Sequence, residues 1–233
     1  MLISVHIPKT AGSSFREYLR LSCPENLILD YGDPIYIPDI ARNAFVTLSR
    51  AWNKIQNHQL SRPDHANKII HGHFITYKYA SIRNNTDTKY ITWLRDPIER
   101  IISQYYFWYR HYTPETRSPL HKKIVEENWS LEKFCLSQQL QNIYAKFFWK
   151  FPIDHFSFIG ITECYDTDLQ YFANRFLNDQ TPTIIYGNEN PNKKADYIDS
   201  LEPQLIKKIR AFHAEDFKIY ETALRLRDQR TLL

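Results

Sequence analysis

Apolar residues bunch at the start of the chain as Leu2, Ile3, Val5 and Ile7, and the run stops at Pro8. So short a run, closed by proline and small polar residues, predicts a buried strand over 2–7. Phe15, Tyr18 and Leu19 then recur at helical spacing and predict a helix over 13–21. The alternation continues down the chain. Apolar runs predict strands at 27–31, 68–72, 90–94 and 156–161, and helical patterns fall at 38–58, 97–111, 130–149, 165–177 and 203–227. Strands alternating with helices predict an α/β fold of three layers, a central and mostly parallel sheet flanked by helices. No linker, repeat or composition break interrupts the pattern, so one domain over 1–233 is expected.

Chemistry concentrates where predicted strands end. Lys9, Thr10, Ala11, Gly12, Ser13 and Ser14 lie between the first strand and the first helix. Backbone N–H groups of such a loop and the positive end of the helix dipole converge on one point, and Lys9 adds a full charge. The expected ligand carries phosphate or sulfate. The loop lacks the Walker order, because its lysine precedes the glycine and the chain contains no GK[ST]. A plain helix N-cap at Ser13 or Ser14 is the competing reading.

A second segment, YITWLRDPIERIISQYYFWY (90–109), puts Arg95 at the end of a strand. Asp96 fits an N-cap, Pro97 the first helical position and Glu99 the third, which predicts a capping box. Ile98, Ile101, Ile102 and Tyr105 form the core stripe, and Ser103 lies off it. A guanidinium fork with a hydroxyl suits a terminal phosphate, whereas a salt bridge from Arg95 to Asp96 or Glu99 is the structural alternative. Between the two segments, His71-Gly72-His73-Phe74 closes the 68–72 strand. A neutral imidazole can accept a proton near physiological pH. Paired histidines also suit a metal or a packed core.

PKTAGSS (8–14) resembles the 5′-phosphosulfate loop of sulfotransferases that use 3′-phosphoadenosine 5′-phosphosulfate (PAPS). RDPIERIISQYYF resembles their 3′-phosphate motif, with Arg95 and Ser103 at the matching positions. With these two, the HGH segment is similar to the uronosyl and heparan sulfate 2-O-sulfotransferases that modify glycosaminoglycans. The strand and helix of FSFIGITECYDTDLQYFANRF (156–176) agree, so the resemblance spans most of the chain.

The resemblance implies a P-loop-like sulfotransferase fold that moves a sulfuryl group from PAPS to a hydroxyl, most readily of a carbohydrate, leaving 3′-phosphoadenosine 5′-phosphate (PAP). His73 would be the general base, with His71 in support. Amides from Thr10 to Ser14 would hold the 5′-phosphate, and Lys9 would offset charge on the bridging oxygen. Arg95 and Ser103 would anchor the 3′-phosphate, and Lys193 and Lys194 of the 188–196 loop would close over the nucleotide. No metal is needed in that scheme. Rival readings are a metal-dependent phosphoesterase built on His71, His73 and Asp30 or Asp33, a non-catalytic nucleotide-binding module, and a kinase-like P-loop enzyme. Should His73 not be the base, Glu163 is the next candidate.

Composition narrows the class further. A net charge of +4 with both signs mixed is mild, which suits a phosphate-rich ligand better than a nucleic acid. Cys23, Cys135 and Cys164 are odd in number and widely spaced, a pattern expected of reduced thiols in the cytoplasm. No signal-like leader precedes the first strand and no apolar run reaches the ~20 residues of a membrane span. Long helices at 38–58 and 130–149 are expected to wall an acceptor cleft.

Overall fold

A computed structural model describes residues 1–60, 67–83, 87–187 and 201–231. Five strands, β1 (Leu2–Val5), β2 (Leu27–Leu29), β3 (Ile69–Gly72), β4 (Lys89–Leu94) and β5 (Phe158–Ile161), form one sheet in the order β2-β3-β1-β4-β5. Every pairing is parallel. Helices cover both faces, so the expected three-layer α/β fold is present.

The strands alternate because both faces are buried. Ile3, Val5, Ile70, Tyr90, Leu94, Ile159 and Ile161 face one core with Phe147, Phe148 and Phe151. Leu2, Ile69, Ile91, Trp93 and Phe158 face the other, against Phe15, Tyr18 and Leu19 of α1 (Gly12–Ser22) and Leu169 and Phe172 of α7 (Tyr165–Phe172). A third cluster joins Ile98, Ile101 and Trp108 of α3 (Pro97–Arg110) to residues of α4 (Pro119–Glu126), α5 (Leu131–Cys135), α8 (Pro203–Phe212) and α9 (Ala214–Thr231). α2 (Asp39–Leu60) packs on the two-turn 3₁₀ segment Thr76–Ile82 that follows β3.

Register decides where the chemistry goes. Val5 of β1 sits opposite Gly72 on one side and Thr92 on the other. The loops leaving β1, β3 and β4 therefore emerge together at one edge, the carboxyl end where open α/β sheets bind ligands. β1 is central, and the chain passes from its β3 side to its β4 side after β3.

Two predicted helices are broken. Residues 130–149 form α5, a short turn at Gln138–Leu140 and α6 (Ile143–Phe147) instead of one continuous helix. Asn142 interrupts the pattern with a left-handed backbone at φ 48°. The 203–227 pattern splits at His213, between α8 and α9. Its ring leaves the helical path to accept from the Asn142 amide at 3.3 Å and to meet the Cys135 carbonyl at 2.8 Å. Helical periodicity reported the apolar faces correctly and was silent on these long-range polar contacts.

Gly72 is fixed by its neighbours. The chain leaving β2 crosses so close that a Cβ on Gly72 would lie 1.6 Å from the Asp30 carbonyl oxygen. That oxygen is backbone and the adjoining Asp30 amide is bonded to the His71 carbonyl at 3.0 Å, so relief requires the two strands to separate. Gly72→Ala is expected to cost about 1–3 kcal/mol by overpacking, read as a fall of several degrees in Tm by calorimetry. An unchanged Tm would refute the close approach.

Candidate active site

The β1–α1 loop is an anion cradle in geometry. Lys9 and Ala11 adopt left-handed backbone at φ 70° and 61°, with neither position a glycine. Such conformations cost about 1–2 kcal/mol each for residues with a Cβ and mark sites where the backbone is shaped for use. The turn makes Ala11 the N-cap of α1, and no side chain caps the helix. This settles the alternative raised for Ser13 and Ser14. Neither caps: the Ser14 hydroxyl instead accepts from the Gly187 amide at 2.9 Å. The first amides of α1 thus keep their capacity for an anion. Thr10 is buried and donates its hydroxyl back to the Ile7 carbonyl at 2.9 Å, bracing the loop.

Lys9 reaches across to α3, where its ammonium stands 4.1 Å from the centre of the Phe107 ring. Burial, reinforced by Arg110 and Arg95, pushes its pKa down to about 8. Glu99, Ser103, Phe107 and Arg110 recur at spacings of four, four and three, and so share one face of α3. Lys9 thus lies within the electrostatic reach of Arg110 and Arg95. Ser103 is half-buried on this face.

Arg95 is not idle. Its Nε and Nη2 both donate to Glu99 Oε2, at 3.0 and 2.8 Å. The structural salt bridge is present, with the side chain 23% exposed. The expected capping box is only half formed. Asp96 Oδ1 accepts from the amides of Ile98 and Glu99 at 2.9 and 3.1 Å, whereas the reciprocal carboxylate comes from Glu163, whose Oε1 accepts from the Asp96 amide at 2.8 Å. Glu99 has turned to Arg95. The role of Glu163 here is to hold a backbone amide, and burial raises its pKa.

The histidines form a larger group than the HGH segment suggests. His6, from the β1 end, stacks on His71 at 5.0 Å and meets His73 edge-on at 4.3 Å. Its Nδ1 lies 3.1 Å from the Tyr31 hydroxyl, and the Tyr31 ring lies 4.7 Å from that of His73. Only glycine at position 12 admits this ring, because a Cβ there would sit 1.9 Å from it. His6 was not legible as a site residue, since it reads as one more position in an apolar strand. The clash with Gly12 is the reason the two must occur together.

His71 is 1% exposed, and its Nδ1 bonds to the Ser4 hydroxyl at 2.8 Å. The Nε2 atoms of His71 and His73 are buried and have no described partner. Burial, with Arg16 adding its charge, lowers His73 to about 4. Burial, then His73 and Arg16, lowers His71 to about 3. His6 lies well below its ordinary value for the same reasons, burial first. All three rings are neutral at physiological pH.

Asp30 and Asp33, the carboxylates a phosphoesterase would need, are spent elsewhere. Lys78 Nζ holds them at 2.7 and 3.0 Å, and Tyr79 donates to Asp30 at 2.8 Å. Among the described residues no group of three or more His, Cys, Asp or Glu is arranged to hold a metal ion. Lys193 and Lys194 lie outside the described residues. Among the described residues no helix is long and apolar enough to cross a membrane.

The chain is similar to known sulfotransferases. A family model described as the sulfotransferase family matches residues 1–221. A mouse sulfotransferase, SULT7A1, solved in complex with PAP, aligns at 13% identity over 100% of this chain and 88% of its own, with a TM-score of 0.47. A sulfotransferase from Alicyclobacillus acidocaldarius aligns at 16% identity over 96% of this chain and 95% of its own, with a TM-score of 0.49. No curated protein matches the sequence.

The neutral histidines make acid a destabilising condition. His71 and His73 bind protons near 6.5 when unfolded but only near 3 and 4 when folded, so between these values the unfolded chain holds more protons. Stability therefore falls as pH drops from about 6.5 towards 4. Calorimetric Tm should decline across that window, and the decline should flatten in His73→Gln. A Tm constant from pH 7 to 4 would contradict the buried neutral cluster.

Proposed function

This chain belongs to the sulfotransferase family, and on that premise we propose that it moves a sulfuryl group from PAPS to a hydroxyl of a carbohydrate. The observation that carries the reading is one edge of the sheet that gathers the uncapped amides of α1, the Lys9 ammonium and two neutral imidazoles whose Nε2 atoms have no hydrogen-bond partner among the described residues. The residues fit the nucleotide. Two phosphates suit two donor sets, the β1–α1 loop with Lys9, and Arg95 of the β4–α3 turn with Ser103 of α3.

When bound, PAPS supplies an activated sulfuryl group. The chain's residues do the rest. Amides of Gly12, Ser13 and Ser14 bind the 5′ side, and Lys9 neutralises charge that develops on the bridging oxygen. The depressed pKa of Lys9 serves this role. An arriving polyanion favours its charged form, so the proton that burial and the neighbouring arginines loosen is tightened by the ligand. Glu99 takes two nitrogens of Arg95 and fixes the guanidinium plane, leaving Nη1 for the 3′-phosphate. Lys193 and Lys194 are assigned to the same nucleotide.

His73 Nε2 takes the proton of the acceptor hydroxyl, with His71 held by Ser4 behind it. A base near pH 4 is weak, and a loose, in-line transfer asks little of it. By analogy with phosphoryl transfer, the leaving group departs early and the nucleophile loses its proton late. Neutrality at working pH matters more than strength.

The test is transfer of labelled sulfate from PAPS to a panel of glycans, with PAP and AMP affinities measured in parallel. PAP should bind more than tenfold tighter than AMP, since hydrogen bonds to charged groups contribute roughly 1.5–3 kcal/mol each. Equal affinities would remove the 3′-phosphate assignment.

His73→Ala should lower kcat by about 10²–10⁴ with PAP affinity retained. The wild-type rate should hold down to pH 5 and fall only towards about pH 4, where the buried ring protonates. A half-maximal rate near pH 6.5, unchanged in the variant, would assign the titration to another group. Lys9→Ala should leave PAP binding measurable while kcat drops about 10²–10³-fold. A loss confined to affinity would make Lys9 a capture residue only.

A further inference from the structure

The turn that carries Arg95 leaves the sheet with its backbone groups taken by side chains from distant segments. Thr162 Oγ1 donates to the Leu94 carbonyl at 2.9 Å, and Glu163 accepts from the Asp96 amide at 2.8 Å. Between them one hydroxyl serves both polar groups of Arg95. Tyr144 Oη accepts from the Arg95 amide at 3.2 Å and donates to the Arg95 carbonyl at 2.5 Å. A single side chain thus fixes the peptide units on both sides of the residue.

Tyr144 is itself rigidly held. It is 0% exposed and rides on α6, whose Ala145 amide donates to the buried Asp216 carboxylate of α9 at 3.2 Å. Its ring lies 5.8 Å from the guanidinium of Arg100, a residue 1% exposed on the core side of α3. Burial keeps the hydroxyl protonated well above its ordinary range, so it remains a donor as well as an acceptor. A packing role alone would be met by phenylalanine. The hydroxyl is spent on the one residue of this turn that carries a candidate phosphate ligand.

We propose that Tyr144 is a positioning residue for the nucleotide 3′-phosphate, acting through the backbone of Arg95, with Thr162 and Glu163 closing the same clamp. This rests on Arg95 being the 3′-phosphate ligand. Without the clamp the Arg95 peptide units rotate, which strains the pairing to Glu99 and shifts the guanidinium from its set position. Fixed orientation is what a fork-shaped donor contributes to a phosphate, so its loss is read in discrimination between nucleotides.

The experiment is calorimetric titration of PAP and AMP into wild type, Arg95→Gln and Tyr144→Phe, with folding checked by circular dichroism. Arg95→Gln should abolish most of the preference for PAP. Tyr144→Phe should reduce that preference about tenfold, through weaker PAP binding, with AMP affinity unchanged. If Arg95→Gln loses the preference and Tyr144→Phe keeps it, the clamp is overturned while the Arg95 assignment stands. Should PAP and AMP weaken together in Tyr144→Phe, the hydroxyl is merely structural and the proposal fails. If Arg95→Gln itself keeps the preference, both assignments fall. Were Tyr144→Phe not to fold, Thr162→Val reads the same ratio, where a drop of a few-fold supports the clamp and an unchanged ratio overturns it.

Discussion

Everything at the site depends on one register. Val5 lies between Gly72 and Thr92, the Thr92 hydroxyl donates to the Val5 carbonyl at 2.9 Å, and the His6 amide donates to the Gly72 carbonyl at 2.8 Å. These contacts bring three strand ends level, so the anion loop, the histidines and Arg95 share one edge. A slip of one residue would turn Ile3 and Val5 from one core to the other and carry Lys9 off the Phe107 ring. The apolar alternation that makes the sheet is therefore also what aligns the chemistry.

Positive charge on that edge is expensive. The amides of α1 lack a cap, Lys9 sits in a left-handed backbone, and burial, reinforced by Arg110 and Arg95, depresses its pKa. Stability alone would favour a capping side chain and a relaxed loop. The arrangement makes physical sense with a polyanion, whose charge satisfies the amides and holds the lysine's proton. The histidine cluster is the reverse case: its burial forbids charge, which keeps the imidazoles available as acceptors at the cost of acid stability.

What the sequence disclosed followed range. Strands, most helices and the order of the loops were legible, because apolar period and turn residues are local signals. Lys9, His71, His73 and Arg95 were legible because each stands where an apolar run stops. The fate of Glu99 was not: as the third helical residue it signals a capping box, yet Arg95 lies one turn back and offers a charged fork. Glu163 supplies the missing half of the box from 67 residues away, a distance no local pattern spans. His6 was hidden by its place in an apolar strand, and His213 by the helical pattern it interrupts.

Those hidden contacts share a character that bears on function. Glu163, Thr162 and Tyr144 each spend a side chain on the backbone of residues 94–96. A strand-to-helix turn ordinarily satisfies itself with local caps, as Asp96 does for Ile98 and Glu99. Adding three remote anchors fixes the turn to β5 and α6 at once, so its position is set by two cores and not by its own residues. The β1–α1 loop is anchored less from outside, through Thr10, the His6–Gly12 contact and the Ser14–Gly187 bonds. The two ends of the proposed nucleotide site therefore differ in stiffness. The arginine end is a fixed reference against which the more lightly held loop can adjust, and this suits the proposed reaction, in which bonds would break at the loop while the far phosphate only has to stay still.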